Sequence, residues 1–253
     1  MNSSSQNNTC KKAAAVLFAL LLWQSAALII KQSLLIAGPF EVLKSLTLLL
    51  GTKEFYLTVV YSLSRIGLGF AYGFAFACLL AFFSYKSGIF EKFLYPYVLM
   101  AKSIPVASFV ILALMYLGAK KLAVFISFIM VFPIIYTNIL TGLKEVDSKL
   151  LDFSKVYNIN GFRKLHYILI PEIFQYVISA VKTASGMAWK SGVAAEIIGL
   201  YRNSIGYKLY EAKIYFSISD LFAWTLVIIL LSLGFEKLLI FILNGVYSYA
   251  YNQ

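Results

Sequence analysis

The sequence has little charge for its length. Its 253 residues include 22 Lys and Arg and 11 Asp and Glu, together 13% of the chain, whereas 61% of the residues are hydrophobic. A water-soluble domain carries about 25% charged residues, so this chain has too few to cover a surface in water. The mean hydropathy of +0.82 agrees. The composition excludes an ordinary soluble protein and indicates one that resides in a lipid bilayer.

Residues that build catalytic or metal centres are also scarce. The two cysteines, Cys10 and Cys78, lie in the N-terminal tail and inside an apolar run, so neither a disulfide nor a metal site is predicted. His166, the single histidine, is expected to be an interface residue rather than a ligand. The chain lacks G-x-x-x-x-G-K-[ST], H-E-x-x-H and G-x-S-x-G sequences. It is therefore expected to have no P-loop, no cofactor of its own and no intramembrane enzyme site.

Long apolar runs dominate the chain instead. About 20 helical residues cross a bilayer, and several uncharged runs approach or reach that length. Backbone groups in lipid must be satisfied internally, and the runs do not alternate as barrel strands do. The prediction is an all-α fold, a polytopic transmembrane bundle of about six helices. The predicted spans are residues 13–30, 57–83, 93–117, 120–143, 168–196 and 220–243.

Charge adds two expectations and leaves the orientation open. The first span follows Lys11 and Lys12, as a signal sequence does, but Gln24 and the large residues near it make a poor cleavage site, so a retained helix is predicted. The formal charge of +11 is interpreted as contact with anionic membrane lipid rather than with nucleic acid. Lys and Arg are divided almost equally between the two sides, so the positive-inside rule does not fix the orientation.

The polar stretch 144–166, between the fourth and fifth predicted spans, has a helical pattern. Four apolar residues at spacings of four, three and four lie on one stripe of a short helix: Val146, Leu150, Phe153 and Tyr157. Asp147 is suited to cap its start, and Asn158 to end it in a left-handed conformation. Pro171 is expected in the first turn of the fifth span. On geometry alone, such a helix either lies on the membrane surface or docks into a groove on a partner protein.

Within this stretch the sequence resembles a known family. Asp152-Phe153-Ser154, then Asn158 and Ile168-Leu169-Ile170-Pro171, is similar to the "E-A-A, three residues, G, about nine residues, I-x-L-P" pattern. That pattern belongs to membrane permease subunits of binding-protein-dependent ABC importers. Asp152 replaces the glutamate, Phe153 and Ser154 replace two alanines, and Asn158 replaces the glycine. The bulky Phe153 implies a docking face of altered shape.

The resemblance continues on both sides of the loop, over about 180 residues from Thr58 to near Leu239. Further motifs resemble "T-L-x-R-x-x-x-G-F", "R-x-I-P … W-F-G" and "W-x-x-x-x-A-A-E … G-L-G-Y", the last of which is similar to the nitrate, sulfonate, taurine and bicarbonate branch. In this chain they read Ser62-Leu63-Ser64-Arg65 with Gly69-Phe70, Lys102-Ser103-Ile104-Pro105 with Tyr116-Leu117-Gly118, and Trp189 with Ala194-Ala195-Glu196 and Ile205-Gly206-Tyr207.

The family resemblance implies an organisation for the whole chain. Residues 1–56 would form an N-terminal tail, the first transmembrane helix and an extracytoplasmic loop, and residues 57–253 a permease core. Residues 144–166 would hold a cytoplasmic coupling helix for the ATPase, with both termini in the cytoplasm of a cell-membrane protein. The ATPase-coupling residues would be Val146, Leu150, Asp152, Phe153, Ser154, Tyr157, Asn158 and Gly161.

Two predicted spans carry small residues every four positions. Gly69 and Gly73 start one ladder, and Ala184, Ala188 and Gly192 belong to the other. Small residues at this spacing let helix backbones approach closely in lipid, where no hydrophobic drive pairs helices. These helices are predicted at the bundle centre or along a translocation path, with plain tight packing as the equal alternative.

Charged residues inside spans are the candidates for a path or gate, because they are costly in lipid. Lys102 beside Pro105 is expected in a broken helix, either lining a gate or reaching the interface. Lys190 either attracts an anionic substrate or has a structural role. Glu196 is expected at a gate or a contact between subunits, and Arg65 is expected to be a structural anchor.

The leading hypothesis is a homodimeric ABC importer permease for a small anion, such as a sulfonate, nitrate or taurine, or for a vitamin precursor. Its implied partners are two cytoplasmic ATPase subunits, which bind ATP and Mg²⁺, and an extracytoplasmic substrate-binding protein. The alternative is a self-contained secondary transporter or channel, which would predict paired carboxylates at midplane in two related halves. No internal repeat is evident, and the solute itself is not specified by the sequence.

Overall fold

The computed structural model describes residues 17–19, 21–29 and 36–251, and every regular element within these ranges is a helix. The predicted N-terminal tail, with Cys10, lies outside the described residues. The all-α prediction is confirmed. The α-helices are α1 (Leu17–Ile29), α2 (Pro39–Leu50), α3 (Lys53–Lys86), α4 (Gly88–Ser103), α5 (Val106–Lys144), α6 (Ser148–Val156), α7 (Gly161–Lys164), α8 (Ile170–Gly199), α9 (Ile205–Ile214) and α10 (Ile218–Tyr251).

Three helices of the described chain are long and apolar enough to cross a membrane by length and composition, namely α3, α5 and α10. Helix α8 has 30 residues, enough for a crossing, but its charged side chains make it less apolar. Helix α3 begins at Lys53 rather than at residue 57, and α10 continues to Tyr251 rather than ending at 243. The polytopic bundle is confirmed, with longer helices than the apolar runs alone indicated.

The predicted span 93–117 is not one helix. Helix α4 ends at Ser103, and α5 begins at Val106 after an extended Pro105, so the prediction of a broken helix here is confirmed. Helix α5 is itself interrupted at Gly118, which has φ 67° and ψ 166°. Side chains disfavour that backbone region, and glycine enters it without steric cost. The segment before Gly118 packs back against the segment after it.

The fifth span begins earlier than predicted. The Asn160 side chain accepts a hydrogen bond from the Arg163 amide at 2.9 Å and caps α7, which continues through a π-helical turn, Leu165–Leu169, into α8. Pro171 is the second residue of α8, so the prediction that it lies in the first turn of this span is confirmed, although the helix continues into it without a break from the π turn. Proline lacks an N–H and its ring crowds the carbonyl four residues back, so the wider turn just before it accommodates the missing bond.

Two helices were not predicted, α2 and α9. Each begins with an N-terminal capping interaction made by residues that favour helix starts. The Gly38 amide donates to the Glu41 carboxylate at 3.3 Å ahead of Pro39, and the Ser204 hydroxyl accepts from the Tyr207 amide at 3.1 Å. Helix α2 occupies part of what was expected to be a loop within residues 31–56, because a proline at the first position and an acid in the first turn favour helix initiation.

Helices α3, α5 and α8 pack together at the centre of the bundle. The small-residue ladders lie where these helices are closest. A methyl group built on Gly69 would lie 2.4 Å from the Val124 carbonyl oxygen, and one on Gly192 would lie 2.7 Å from both Ile66 and Ser127. A methyl group on Gly73 would meet Phe128 and Val131 of α5 at 3.0 Å in the same way, and Ala184 and Ala188 of α8 are fully buried.

Candidate functional site

Helix α6 forms the centre of the polar loop, and its two ends are set by the residues that the sequence indicated. The Asp147 carboxylate accepts a hydrogen bond from the Lys149 amide at 2.9 Å at the start of the helix. After the last turn, Asn158 adopts a left-handed φ of 49°. The predictions for both ends are confirmed. Gly161 has open space around it, so no close contact requires a glycine there.

The four-residue apolar stripe of this loop is divided between two environments. Val146 is buried and Leu150 packs against the core, whereas 51% of Phe153 and 66% of Tyr157 are exposed. The two exposed rings contact each other, with 4.4 Å between their centroids. Ser154, expected to face a partner, is buried. Val146, Leu150 and Ser154 therefore attach α6 to its own bundle, and the aromatic pair is the accessible part of the stripe.

Polar contacts fix the loop at the end of the bundle. The Lys144 ammonium lies 2.6 Å from the Glu91 carboxylate and joins the end of α5 to the start of α4. The Tyr176 hydroxyl donates to the Glu145 carboxylate and joins α8 to the same end. On α6 itself, Asp152 pairs with Lys155 at 2.8 Å, with both side chains exposed. Asp152 is therefore on the surface, beside the aromatic pair.

Helix α8 has one polar face and one buried face. Its buried face carries the small residues that contact α3 and α5. The opposite face is exposed and polar along most of the helix. Within the described chain, no acidic residue forms an ion pair with the lysines of this face. A polar face of this kind is costly against hydrocarbon and is expected to face water or protein. Its exposed polar residues are Glu172, Gln175, Ser179, Lys182, Thr183 and Lys190.

Two lysines predicted to lie along a path are exposed. Lys190 lies on the polar face of α8, about 12 Å along the axis from Lys182 at a rise of about 1.5 Å per residue. Lys102 is exposed in the last turn of α4, next to the break at Pro105, which is also exposed. The structure therefore leaves Lys102, Pro105 and Lys190 accessible.

Glu196 lies in the interior instead. It is 2% exposed, and its carboxylate accepts hydrogen bonds from the Ser62 hydroxyl at 2.8 Å and from the Gly206 amide at 3.1 Å. The Ile205 amide donates in turn to the Ser62 hydroxyl at 2.9 Å. The carboxylate thus binds the first turn of α9, where unpaired amides favour an anion. The carboxylate is thus enclosed within the single chain, and the expectation of a gate or a contact between subunits at Glu196 stays a prediction.

Arg65 lies beside this network and joins the interruption of α5 to the turn after α8. Its guanidinium donates to the Ala119 carbonyl at 3.2 Å, next to the interruption of α5. It also lies 5.0 Å from the ring centre of Tyr61 and 4.6 Å from that of Tyr201, within cation–π distance. The side chain is buried, as expected for a structural anchor.

The sequence did not identify Ser62 as a functional residue, although it belongs to one of the resembling motifs. The contact between Ser62 and Glu196 joins residues 134 positions apart. Gly206 is required by the same contact, since a methyl group there would lie 2.4 Å from the Glu196 Cβ. The motif glycine and the motif serine were the available signals, but neither reveals the partner that it contacts.

The chain matches the family described as binding-protein-dependent transport system inner membrane component over residues 73–248. It is 25% identical over 208 residues to a probable ABC transporter permease protein of Brucella melitensis, covering 82% of this chain and 84% of the relative. It is 21% identical over 207 residues to the putative aliphatic sulfonates transport permease protein SsuC of Bacillus subtilis, covering 81% and 74%.

A third relative is the nitrate import permease protein NrtB of Synechococcus elongatus, 25% identical over 204 residues that cover 76% of this chain and 72% of the relative. The family match spans most of the bundle, from α3 to α10, and includes α6 and Glu196. The chain belongs to the family of binding-protein-dependent transport system inner membrane components and is a multi-pass permease subunit of an ABC importer.

Proposed function

We propose that this permease subunit imports a small anion and works as a homodimer, driven by ATPase subunits that dock on α6. The exposed ring pair of Phe153 and Tyr157 is the observation that carries the proposal. These rings form an apolar surface on a helix that is capped at both ends and attached to the bundle by its opposite side. Aromatic anchors of this kind supply most of the binding energy where a helix enters a groove.

The docking proposal also orients the chain in the membrane. If α6 lies in the cytoplasm, the cytoplasmic side also holds the start of α8 and the last residues of three helices: Lys86 of α3, Lys144 of α5 and Tyr251 of α10. The turn between α8 and α9 then lies outside, with Arg65 and Glu196 near it. Both termini are placed in the cytoplasm, and the extracytoplasmic binding protein would deliver substrate to the outer turns.

The polar face of α8 supports a central path between two copies. In a single chain this face is open, and hydrocarbon is a poor environment for its lysines. A second copy related by twofold symmetry would place two such faces on either side of a water-filled path. Movement of the docked ATPases would open this path alternately to each side by rigid-body rotation of the two subunits.

The class of solute is proposed from charge and from the relatives. Lys182 and Lys190 outnumber Glu172, the acidic residue on the open face of α8, so this face is net positive, and Lys102 is a further exposed cation on α4. Relatives named as sulfonate, nitrate and bicarbonate permeases are consistent with an anion. We expect the double substitution Lys102→Gln and Lys190→Gln to reduce uptake of the anionic solute into proteoliposomes. Unchanged uptake of every anionic candidate would contradict the assignment of these lysines to the path.

The docking proposal is tested with the variant Phe153→Asp/Tyr157→Asp. We expect it to insert and fold normally, because both side chains are exposed, yet to lose co-purification with the ATPase and ATP-driven uptake. Tyr215→Asp is the matched control, since Tyr215 is 78% exposed on the opposite side. Retention of the ATPase by the Phe153/Tyr157 variant, or its loss in the control as well, would show that α6 is not the docking surface.

A further inference from the structure

A large apolar groove lies on the side of the bundle formed by α3, α8 and α10. It has a volume of about 730 Å³ and is open along one side. Its walls include Phe74, Cys78 and Phe82 of α3, Val177 of α8, and Leu243 and Tyr247 of α10. None of the described residues that line it is acidic. The groove is separate from the small-residue contacts and from the aromatic pair of α6.

Aromatic side chains with polar tips close one end of the groove. The Tyr251 hydroxyl donates to the His166 carbonyl at 2.6 Å, and the two rings stack with centroids 5.1 Å apart. Tyr247 stacks on Phe174 at 4.0 Å and contacts Tyr251. Tyrosines concentrate where hydrocarbon meets headgroups. In the proposed orientation, this end lies at the cytoplasmic surface of the bilayer.

The same end is basic. The Lys86 ammonium lies 4.5 Å from the ring centre of Phe82, a groove residue, and Lys164 is two positions before His166, which also lines the groove. Neither lysine has an acidic partner within ion-pair distance in the part of the chain that the structure describes. One unpaired cation, Lys86, therefore lies beside a groove residue, and a second, Lys164, lies within one helical turn of another.

We propose that this groove binds an anionic phospholipid, with an acyl chain between α3 and α10 and the phosphate between Lys86 and Lys164. Lipid chains are as apolar as the groove walls, so the chain contact alone gives no selectivity. The selectivity comes from the headgroup, because each basic side chain at the membrane surface favours anionic lipid by roughly fivefold, equivalent to about 1 kcal/mol.

The first test measures selectivity by native mass spectrometry with phosphatidylglycerol and phosphatidylcholine of identical chains. We expect the wild type to retain phosphatidylglycerol preferentially, and Lys86→Gln/Lys164→Gln to lose roughly 25-fold of that preference. The matched control is Lys53→Gln/Lys213→Gln, which removes two exposed lysines at the other side of the bundle. An equal preference in the Lys86/Lys164 variant and the wild type would overturn the proposal.

The second test locates the lipid with Cys78, a free thiol in the groove wall, in a Cys10→Ser background. Phosphatidylglycerol in nanodiscs is expected to slow maleimide modification of Cys78 in a dose-dependent manner, and Lys86→Gln/Lys164→Gln should abolish the protection. Protection that follows protein concentration rather than anionic lipid would instead assign the groove to a second copy of this chain. Protection by phosphatidylcholine to the same extent would also overturn the proposal. Neither readout depends on the solute or the ATPase.

Discussion

Replacing Gly69 by alanine places a methyl carbon 2.4 Å from the Val124 carbonyl oxygen and 2.7 Å from the Ser127 Cβ. A carbon and a carbonyl oxygen in favourable contact are about 3.3 Å apart, so α3 and α5 have to separate locally by about 0.9 Å. The obstacle is backbone, which a rotamer change does not remove. Overpacking of this kind costs about 1–3 kcal/mol.

Gly67→Ala is the matched comparison, on the same helix and two positions away. Its methyl group meets only the Phe235 ring at 3.7 Å, an ordinary contact. Alanine is favoured over glycine inside a helix by about 0.5–1 kcal/mol, so this variant is expected to be slightly more stable than the wild type. Gly69→Ala gains the same helix preference, which cancels in the comparison, so the two variants should differ by roughly 1–3 kcal/mol in unfolding free energy.

The measurement is unfolding of the purified protein in detergent, by temperature or by titration with a denaturing detergent. Wild type, Gly67→Ala and Gly69→Ala are compared under one set of conditions. Equal stability of the two variants would refute the argument that α3 and α5 are in backbone contact at Gly69. Loss of stability in both would refute the assignment of Gly67 to an uncrowded position.

Three further predictions follow from the polar contacts. Glu196→Ala should lower the unfolding free energy by roughly 2–3 kcal/mol, because it leaves buried donors unpaired, whereas Glu196→Gln retains an acceptor and should cost less in the same assay. Reversing either charge of Glu91 and Lys144 should cost about 0.5–1 kcal/mol, and a double-mutant cycle with both charges exchanged should recover much of it. Burial lowers the pKa of Lys208, but hydrogen bonds to Glu211 and Glu54 outweigh it, so the pKa lies above its ordinary value of 10.5. The charged Lys208 therefore contributes its full stabilisation of the fold below pH 10.5, and this contribution disappears as the pH rises through the higher folded-state pKa. Over that pH range the wild type should lose its advantage in unfolding free energy over Lys208→Met.

The sequence predicted most of the membrane architecture because hydropathy and helix signals are local. Apolar runs located α3, α5 and α10, and Asp147 and Asn158 located the ends of α6. Local signals predict helix boundaries poorly where a helix continues through a polar segment. The passage from α7 into α8 could not be seen, since Asn160 and Gly161 resemble the end of a helix as much as its beginning.

The candidate site was predicted less completely, for a physical reason. Helical spacing assigns Val146 and Phe153 to one stripe, but which part of the stripe is buried depends on how α6 meets the bundle. Glu196 was identified by its motif, yet its partner Ser62 is contributed by another helix. Periodicity identifies a face of a helix, and only the packed structure shows what that face contacts.

One continuous helix, from Gly161 to Gly199, connects the two ends of the bundle. Its 39 residues, counted from the first of α7 to the last of α8, span about 58 Å at the usual helical rise. One end begins three residues after the turn that closes α6, and the other carries Glu196, which binds the first turn of α9. Under the proposed docking, this one helix would transmit a displacement at α6 to the far side of the bundle. The π turn at Leu165–Leu169 interrupts the regular helix between its two ends, so under the same proposal stiffening this turn would change how far the end near Glu196 moves when α6 moves.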